Sequence, residues 1–158
     1  KQNKINKKFV YLISPNKIKT NNFYRDLDQV LSSKKVSFFQ LRIKKETNKN
    51  KLIIGKKIHK ICKKYKVKFL INDDPRLAKE LNADGCHLGQ KDMGILKARK
   101  ILKNKIIGVT CHNSINLAKK AIKDGADYLA FGAFYSSKTK KVKYKASLKI
   151  LSSANLVI

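Results

Sequence analysis

The sequence is poor in acidic residues, and this shortage sets its charge. Aspartate and glutamate together number 10 against 38 lysines and arginines, which gives a formal net charge of +28. Four of the basic residues are arginines, and the lysines are spread over nearly every segment. An even coat of lysine favours a solvated surface that attracts anionic, phosphorylated small molecules. A basic nucleic-acid-binding module remains open as an alternative, supported by charge alone.

Long apolar runs, paired cysteines and glycine-rich loops are also missing. No run approaches the ~20 residues of a membrane span and no signal-peptide pattern opens the chain, so we expect a cytoplasmic protein without a membrane partner. Cys62, Cys86 and Cys111 have no paired spacing and are typical of buried cytosolic thiols. The first predicted strand is followed by Ser14-Pro15-Asn16 and not by a glycine-rich nucleotide loop, which argues against a dinucleotide-binding sheet.

Two patterns alternate along the chain, β-rich apolar runs and amphipathic helical stretches. Strands are predicted over Phe9–Ser14, Val36–Lys44, Val67–Ile71, Cys86–Gly89, Ile106–Thr110 and Tyr128–Gly132, and a seventh strand is predicted to begin over Asn155–Ile158. Helices are predicted over Phe23–Lys34 with Asn22 as cap, from Thr47 as cap to about Tyr65, over Arg76–Leu81 after Pro75, from about Asp92 onward, over Ile115–Lys123 and around Ala146–Leu151.

Strict strand–helix alternation predicts parallel strands with right-handed crossovers. We therefore expect an α/β fold, a (β/α)8 TIM barrel. The 158 residues are fewer than the roughly 250 usual for this barrel, so we expect it to be truncated after about six βα units and the start of strand seven. Residues 1–158 would form a single incomplete TIM-barrel domain, with residues 1–8 as a basic N-terminal extension. The missing initial methionine agrees with a fragment of a longer protein.

Polar side chains follow the predicted strands at their carboxyl ends, where barrel enzymes keep their active sites. They are Gln40, Arg42, Lys44, Asn72, Asp73, His87, Gln90, Asp92, Thr110, His112, Ser137, Thr139 and Lys140. Arg42 and Lys44 suit phosphate oxygens. Asp73 and Asp92, on neighbouring strand ends, suit a magnesium ion that keeps several waters and shares substrate phosphate oxygens. Asp73 could equally cap the helix that starts near Pro75, so both interpretations stay open.

Several short stretches resemble the thiamine phosphate synthase and thiazole tautomerase family, and they occur in the family's order. They are residues 40–44 (QLRIK), 71–74 (INDD), 83–92 (ADGCHLGQKD), 107–110 (IGVT), 125–128 (GADY), 131–132 (FG) and 138–140 (KTK). The resemblance implies a transferase of thiamine biosynthesis. It would couple 4-amino-5-hydroxymethyl-2-methylpyrimidine diphosphate with a thiazole phosphate by a dissociative, magnesium-assisted substitution, giving thiamine monophosphate and diphosphate.

The same resemblance implies roles for individual residues. Asp73 and Asp92 would hold Mg²⁺, and Arg42, Lys44, Asn72 and Lys140 would grip the diphosphate, with Arg42, Lys44 and Lys140 assisting catalysis. Gln40 and Thr110 would contact the pyrimidine, and Ser137 and Thr139 would bind the thiazole phosphate. His87 would line the floor of the active site. The implied partners are therefore two small-molecule substrates, without nucleic acid; the sequence leaves a homo-oligomer open.

Departures from the family pattern keep one further alternative open. The family usually has a second threonine where this chain has Ser137, and often a proline where Ser136 stands. Its loops after strands seven and eight help bind the thiazole phosphate, so we expect this chain alone to bind the pyrimidine diphosphate better. The alternative is thiazole tautomerase, which needs no magnesium site and uses a histidine after the strand-six glycine. Here that position is Ala133, which favours the synthase.

Overall fold

A computed structural model describes residues 8–18, 21–136 and 142–157 of the chain. Within these ranges, six strands alternate with six helices. The strands are β1 (Val10–Ile13), β2 (Val36–Leu41), β3 (Lys68–Asn72), β4 (Gly85–Leu88), β5 (Ile106–His112) and β6 (Tyr128–Phe131). The helices are α1 (Asn22–Ser32), α2 (Asn48–Lys64), α3 (Pro75–Glu80), α4 (Ile95–Leu102), α5 (Ile115–Lys123) and α6 (Lys149–Val157). The predicted alternation is confirmed.

The six strands form one parallel sheet in chain order, and this sheet is strongly curled. In a flat sheet, β1 and β6 would lie about 24 Å apart, because neighbouring strands are spaced by about 4.8 Å. Instead, the hydroxyl oxygens of Tyr11 on β1 and Tyr128 on β6 lie 2.6 Å apart. The sheet therefore curves into a half-barrel with an enclosed inner face, as expected for the α/β barrel class.

The helices pack on the outer face of the sheet through residues spaced by one helical turn. The buried pairs are Leu27 with Leu31, Ile58 with Cys62, Ala98 with Leu102, Ala118 with Ala121, and Ile150 with Ala154. Such i, i+3 and i, i+4 spacing puts both members of a pair on one side of a helix. No helix within the described ranges has the length and apolar composition needed to cross a membrane.

Two aspartates from the stretches that resemble the family, Asp84 and Asp127, lie at the amino ends of strands and stabilise the sheet. The Asp84 carboxylate accepts a hydrogen bond from the backbone N–H of Phe69 at 2.8 Å, and Asp127 accepts one from Ile107 at 2.7 Å. The Arg99 guanidinium also donates to Asp127 at 2.8 Å. Each aspartate thus connects the start of its own strand to a neighbouring strand, at the end of the sheet opposite the predicted site.

Three details of the sequence prediction are wrong. Residues 155–157, predicted as a seventh strand, form the last turn of α6, because Ile150 and Ala154 extend an apolar helical face packed near α5; residue 158 lies outside the described ranges. Asn22 is the first residue of α1 and not its cap; Asn21 precedes it, without a side-chain capping bond. β2 ends at Leu41, although Ile43 remains buried.

Candidate active site

The carboxyl ends of β3 and β4 bring Asp73 and Asp92 together. Asp73 follows β3 directly, and its backbone N–H donates to the carbonyl oxygen of His87 on β4 at 2.8 Å. Asp73 has a positive φ of 67°, a conformation that few non-glycine residues adopt. The carboxyl groups of Asp73 and Asp92 are close enough for each to shift the pKa of the other. The structure thus places the two acids beside each other, at the carboxyl ends of β3 and β4.

The capping role that the sequence left open for Asp73 falls to its neighbour. The Asp74 carboxylate accepts hydrogen bonds from the backbone N–H groups of Arg76 and Leu77, at 2.9 and 3.0 Å. Pro75 occupies the first turn of α3, as predicted. Asp74 is therefore the N-cap of α3, and the Asp73 side chain points elsewhere.

We expect Asp74→Ala to lower the free energy of unfolding by about 1 kcal/mol, because two N–H groups of α3 lose their acceptor. Asp74→Asn is the matched control, since asparagine caps helices as well as aspartate does. Urea unfolding of the three proteins measures the difference. Equal stability of Asp74→Ala and Asp74→Asn would contradict the capping role.

The two carboxyl groups influence each other's protonation. Burial works to raise the pKa of Asp73, but hydrogen bonds with Lys44 and Asp92 and the charge of Lys44 hold it below its ordinary value. Burial and the hydrogen bond with Asp73 raise the pKa of Asp92. Two adjacent carboxylates repel each other unless a proton or a cation lies between them. The pair is therefore well suited to a cation.

Asp92 is oriented by the loop that follows β4. One of its carboxylate oxygens accepts a hydrogen bond from the backbone N–H of Gly89 at 2.7 Å. A Cβ added to Gly89 would lie 2.9 Å from that same oxygen, so a side chain there would displace the carboxylate. Glycine at this position allows the backbone to approach Asp92 closely.

Two basic residues, Lys44 and Arg42, follow β2, and Lys44 contacts the acid pair. The ammonium of Lys44 lies 2.7 Å from a carboxylate oxygen of Asp73. The Arg42 guanidinium donates to the side-chain oxygen of Asn16 at 2.5 Å, and its backbone N–H donates to the Ser14 hydroxyl at 2.8 Å. Sequence reasoning treated residues 14–16 as a turn only. The signal that could have identified them is polar residues at the carboxyl end of β1.

A hydrogen-bonded chain crosses the inner face of the half-barrel below this cluster. The Gln40 amide nitrogen donates to the Tyr11 hydroxyl at 2.8 Å, and Tyr11 bonds Tyr128 at 2.6 Å. Tyr128 contacts Nδ1 of His87 at 2.8 Å, and Nε2 of His87 contacts the Thr110 hydroxyl at 2.8 Å. The sequence predicted Gln40, His87 and Thr110 at the site but missed both tyrosines.

Burial lowers the pKa of His87 to about 4, so the folded protein holds a neutral imidazole at neutral pH. Both ring nitrogens have partners in the chain just described. His87 is therefore a fixed hydrogen-bonding group at neutral pH and not a source of positive charge.

The depressed pKa of His87 makes the stability depend on pH. Between about pH 6.5 and pH 4, the unfolded chain binds a proton at this histidine that the folded chain does not bind. We therefore expect acidification through this window to remove about 3 kcal/mol of the free energy of unfolding. Urea unfolding from pH 7.5 to 4, compared with His87→Gln, isolates the contribution. An identical pH dependence in both proteins would contradict it.

The remaining predicted residues are only partly located. Gln90 donates its amide N–H to the Thr110 carbonyl oxygen at 2.6 Å, and the His112 ring stacks on Tyr144 with ring centroids 4.1 Å apart. Asn72 ends β3, and its side chain is one of the groups that lower the pKa of Asp73. Ser137, Thr139 and Lys140 lie outside the described residues.

The residues present fit a hard divalent cation that is shared with a ligand. In the described part of the chain, no group of three or more histidine, cysteine or acidic side chains could hold a metal by itself. Asp73 and Asp92 supply two carboxylates, and the Asn72 amide lies beside them. Magnesium commonly binds one or two carboxylates and completes its shell with water and phosphate oxygens.

Comparisons with known proteins agree with one another. The family model described as Thiamine monophosphate synthase matches residues 10–156. A protein of Pelagibacter ubique (strain HTCC1062) named Thiamine-phosphate synthase is 84% identical over 153 residues, covering 97% of this chain and 74% of the relative. A protein of that name from Marinobacter nauticus is 46% identical over 116 residues, covering 73% of this chain and 52% of the relative.

A solved structure has the same fold. Thiamine phosphate pyrophosphorylase from Pyrococcus furiosus superposes with a TM-score of 0.80 at 27% identity. The match covers 95% of this chain and 70% of the solved chain. This chain thus corresponds to about half to three quarters of the length of these relatives.

Proposed function

The chain belongs to the thiamine monophosphate synthase family, a family of transferases, and we propose that its protein forms thiamine monophosphate. The substrates would be 4-amino-5-hydroxymethyl-2-methylpyrimidine diphosphate and 4-methyl-5-(2-phosphoethyl)thiazole, with diphosphate as the second product. The observation that carries the proposal is the neighbouring pair of Asp73 and Asp92, with the Lys44 ammonium 2.7 Å from Asp73. A diphosphate with its counter-cation needs both kinds of residue, acidic residues for the cation and basic residues for the phosphate oxygens.

Asp73 and Asp92 would hold Mg²⁺, with Asn72 beside them. When bound there, the ion would neutralise charge on the departing diphosphate. Gly89 supports this role because its N–H keeps the Asp92 carboxylate oriented. Lys44 contacts Asp73 and would also reach a diphosphate bound next to the acid pair.

Arg42 and Lys44, together with Lys140, would bind the diphosphate and stabilise its negative charge as the C–O bond ionises. In this dissociative reaction the bonding electrons leave with the diphosphate, and the thiazole nitrogen then attacks the pyrimidine-stabilised cation. Gln40 and Thr110 would orient the pyrimidine, while Ser137 and Thr139 would bind the thiazole phosphate. The chemistry needs positioning and charge stabilisation more than proton transfer. A neutral His87 with a hydrogen-bond partner at each ring nitrogen is compatible with a reaction that needs positioning more than proton transfer.

Two alternatives have less support. The curated relatives above are named as synthases, and none of the observations favours the tautomerase. A nucleic-acid-binding module rests only on the net charge of +28. That module would bind an unrelated oligonucleotide with a steep salt dependence.

We also propose a cytoplasmic location. Cys62, Cys86 and Cys111 are buried free thiols, and such cysteines are usual in reducing compartments. Burial raises the pKa of Cys62 and Cys86 to about 12, which keeps these thiols unreactive.

The proposal is tested with the protein at its natural full length. We expect thiamine monophosphate to form from the two substrates when magnesium is present and to fall sharply when the metal is chelated. The same preparation is titrated with an unrelated oligonucleotide at two salt concentrations. Absence of product, with tight salt-dependent oligonucleotide binding, would favour the basic module over the synthase.

A further inference from the structure

The two interior tyrosines connect residues on opposite walls of the half-barrel. Gln40 on β2 and Thr110 on β5 are separated by β3 and β4, yet Tyr11, Tyr128 and His87 join them without a break. Each contact in this series is 2.6–2.8 Å long, within the normal range for a hydrogen bond. We call these five residues the interior relay.

Each hydroxyl of the relay can donate one hydrogen, and one consistent arrangement has every bond running in the same direction, from Gln40 to Thr110. The Gln40 amide nitrogen faces Tyr11 and must donate to it. In that arrangement, which we assign to the relay, Tyr11 donates across its 2.6 Å contact to Tyr128, and Tyr128 donates to Nδ1 of His87. The neutral imidazole consequently carries its hydrogen on Nε2 and donates it to Thr110. In the opposite arrangement Thr110 donates to Nε2, Nδ1 of His87 donates to Tyr128, and Tyr128 donates to Tyr11, so the two arrangements differ in the tautomer of His87.

This direction leaves two groups for a ligand. At one end, the hydrogen bond that the Gln40 side chain makes within the described part of the chain is the one its amide nitrogen donates to Tyr11, which leaves the side-chain oxygen Oε1 as an acceptor. At the other end, the Thr110 hydroxyl accepts from His87, and its own hydrogen remains available. The relay therefore presents an acceptor at Gln40 and a donor at Thr110.

We propose that Tyr11 and Tyr128 are positioning residues that set substrate specificity by holding the Gln40 amide in the orientation that accepts a hydrogen bond. The inference rests on the proposed function, in which Gln40 meets the pyrimidine. The exocyclic 4-amino group of that ring donates hydrogen bonds and matches the Gln40 oxygen. A 4-oxo ring would set a carbonyl oxygen against it. Tyr11 and Tyr128 thus select the 4-amino ring without touching it.

The experiment compares wild type, Tyr11→Phe and Tyr128→Phe in the full-length protein, with Tyr65→Phe as the matched control. Phenylalanine keeps each ring and removes only the hydroxyl. Tyr65 also donates its hydroxyl to a side chain, Asp28, but lies on the outer side at the end of α2. Circular dichroism and thermal unfolding establish that each variant is folded.

The first measurement does not depend on turnover. Imidazole ¹⁵N spectra of the ligand-free protein are expected to show His87 with its hydrogen on Nε2. Tyr128→Phe removes the donor to Nδ1, so we expect a mixture of tautomers there and an unchanged spectrum in Tyr65→Phe. A wild-type histidine with its hydrogen on Nδ1 would overturn the proposed direction.

The second measurement is the ratio of dissociation constants for the 4-amino and 4-oxo pyrimidine methyl diphosphates. Wild type should prefer the 4-amino compound, and Tyr11→Phe should reduce that preference about tenfold, because the amide is then free to turn. An unchanged preference in Tyr11→Phe, in a protein that makes thiamine monophosphate, overturns the inference alone. A wild-type protein that makes no thiamine monophosphate overturns the proposed function.

Discussion

Replacing Asp92 with asparagine is expected to lower magnesium-dependent turnover by about 10²–10³-fold, because the proposed ion loses one of its two carboxylate ligands. Asparagine keeps an oxygen that can accept the Gly89 N–H bond, and it can donate to Asp73. The fold should therefore remain intact. Turnover measured over a range of magnesium concentrations gives both the maximal rate and the apparent metal affinity.

The control for this substitution is Asp74→Asn, which removes a neighbouring carboxylate charge while keeping the cap of α3. We expect Asp74→Asn to retain the wild-type dependence on magnesium. Thermal unfolding separates a loss of activity from a loss of structure in both variants. If Asp92→Asn kept wild-type turnover at low magnesium, the ligand assignment would be wrong.

Periodicity was sufficient to predict the strand–helix order because each element has its own signal. α2 shows this well: Thr47 is predicted as its cap, and its hydroxyl accepts from the Asn50 N–H at 3.2 Å. The prediction was wrong at residues 155–157. The short apolar run there is typical of a strand when it is considered alone. It is helical because Ile150 and Ala154, one helical turn apart, form a buried apolar face that the run continues.

Part of the site could also be predicted, because parallel strands present their carboxyl ends at one edge. That rule places Asp73 and Asp92 together, and the structure agrees. It could not assign the cap of α3 to Asp74, since either adjacent aspartate satisfies the sequence pattern. That choice depends on backbone angles, including the positive φ of Asp73.

The connection of the interior relay through Tyr11 and Tyr128 could not be predicted from the sequence. Tyr11 and Tyr128 are 117 residues apart, and their contact exists only because the sheet curls. Curvature also requires space beside Tyr128, which Gly108 provides. A Cβ at Gly108 would lie 1.8 Å from an atom of the Tyr128 ring. The sequence shows Gly108, but it does not show that Tyr128 lies beside this glycine on the neighbouring strand.

Arg42→Ala is expected to reduce kcat/KM for the pyrimidine diphosphate by about 10²–10³-fold, because Arg42 would stabilise negative charge that grows on the leaving group. In the described part of the chain, Arg42 forms no ion pair, and its guanidinium contacts the neutral side chain of Asn16. Its positive charge is therefore available to a substrate. Lys44 differs in this respect, since its ammonium already lies against Asp73.

Two further variants make the Arg42 prediction specific. Arg42→Lys keeps the charge but loses the planar pair of donors, so we expect it to restore only part of the lost activity. Arg25→Ala removes an exposed arginine of α1 that contacts Asp26, and its activity should match wild type. If Arg42→Ala raised KM for the thiazole phosphate and left the pyrimidine diphosphate kinetics unchanged, Arg42 would belong to the second substrate's site. Since the Ser14 hydroxyl holds the Arg42 backbone, Ser14→Ala should shift the same kinetic constants in the same direction but less strongly.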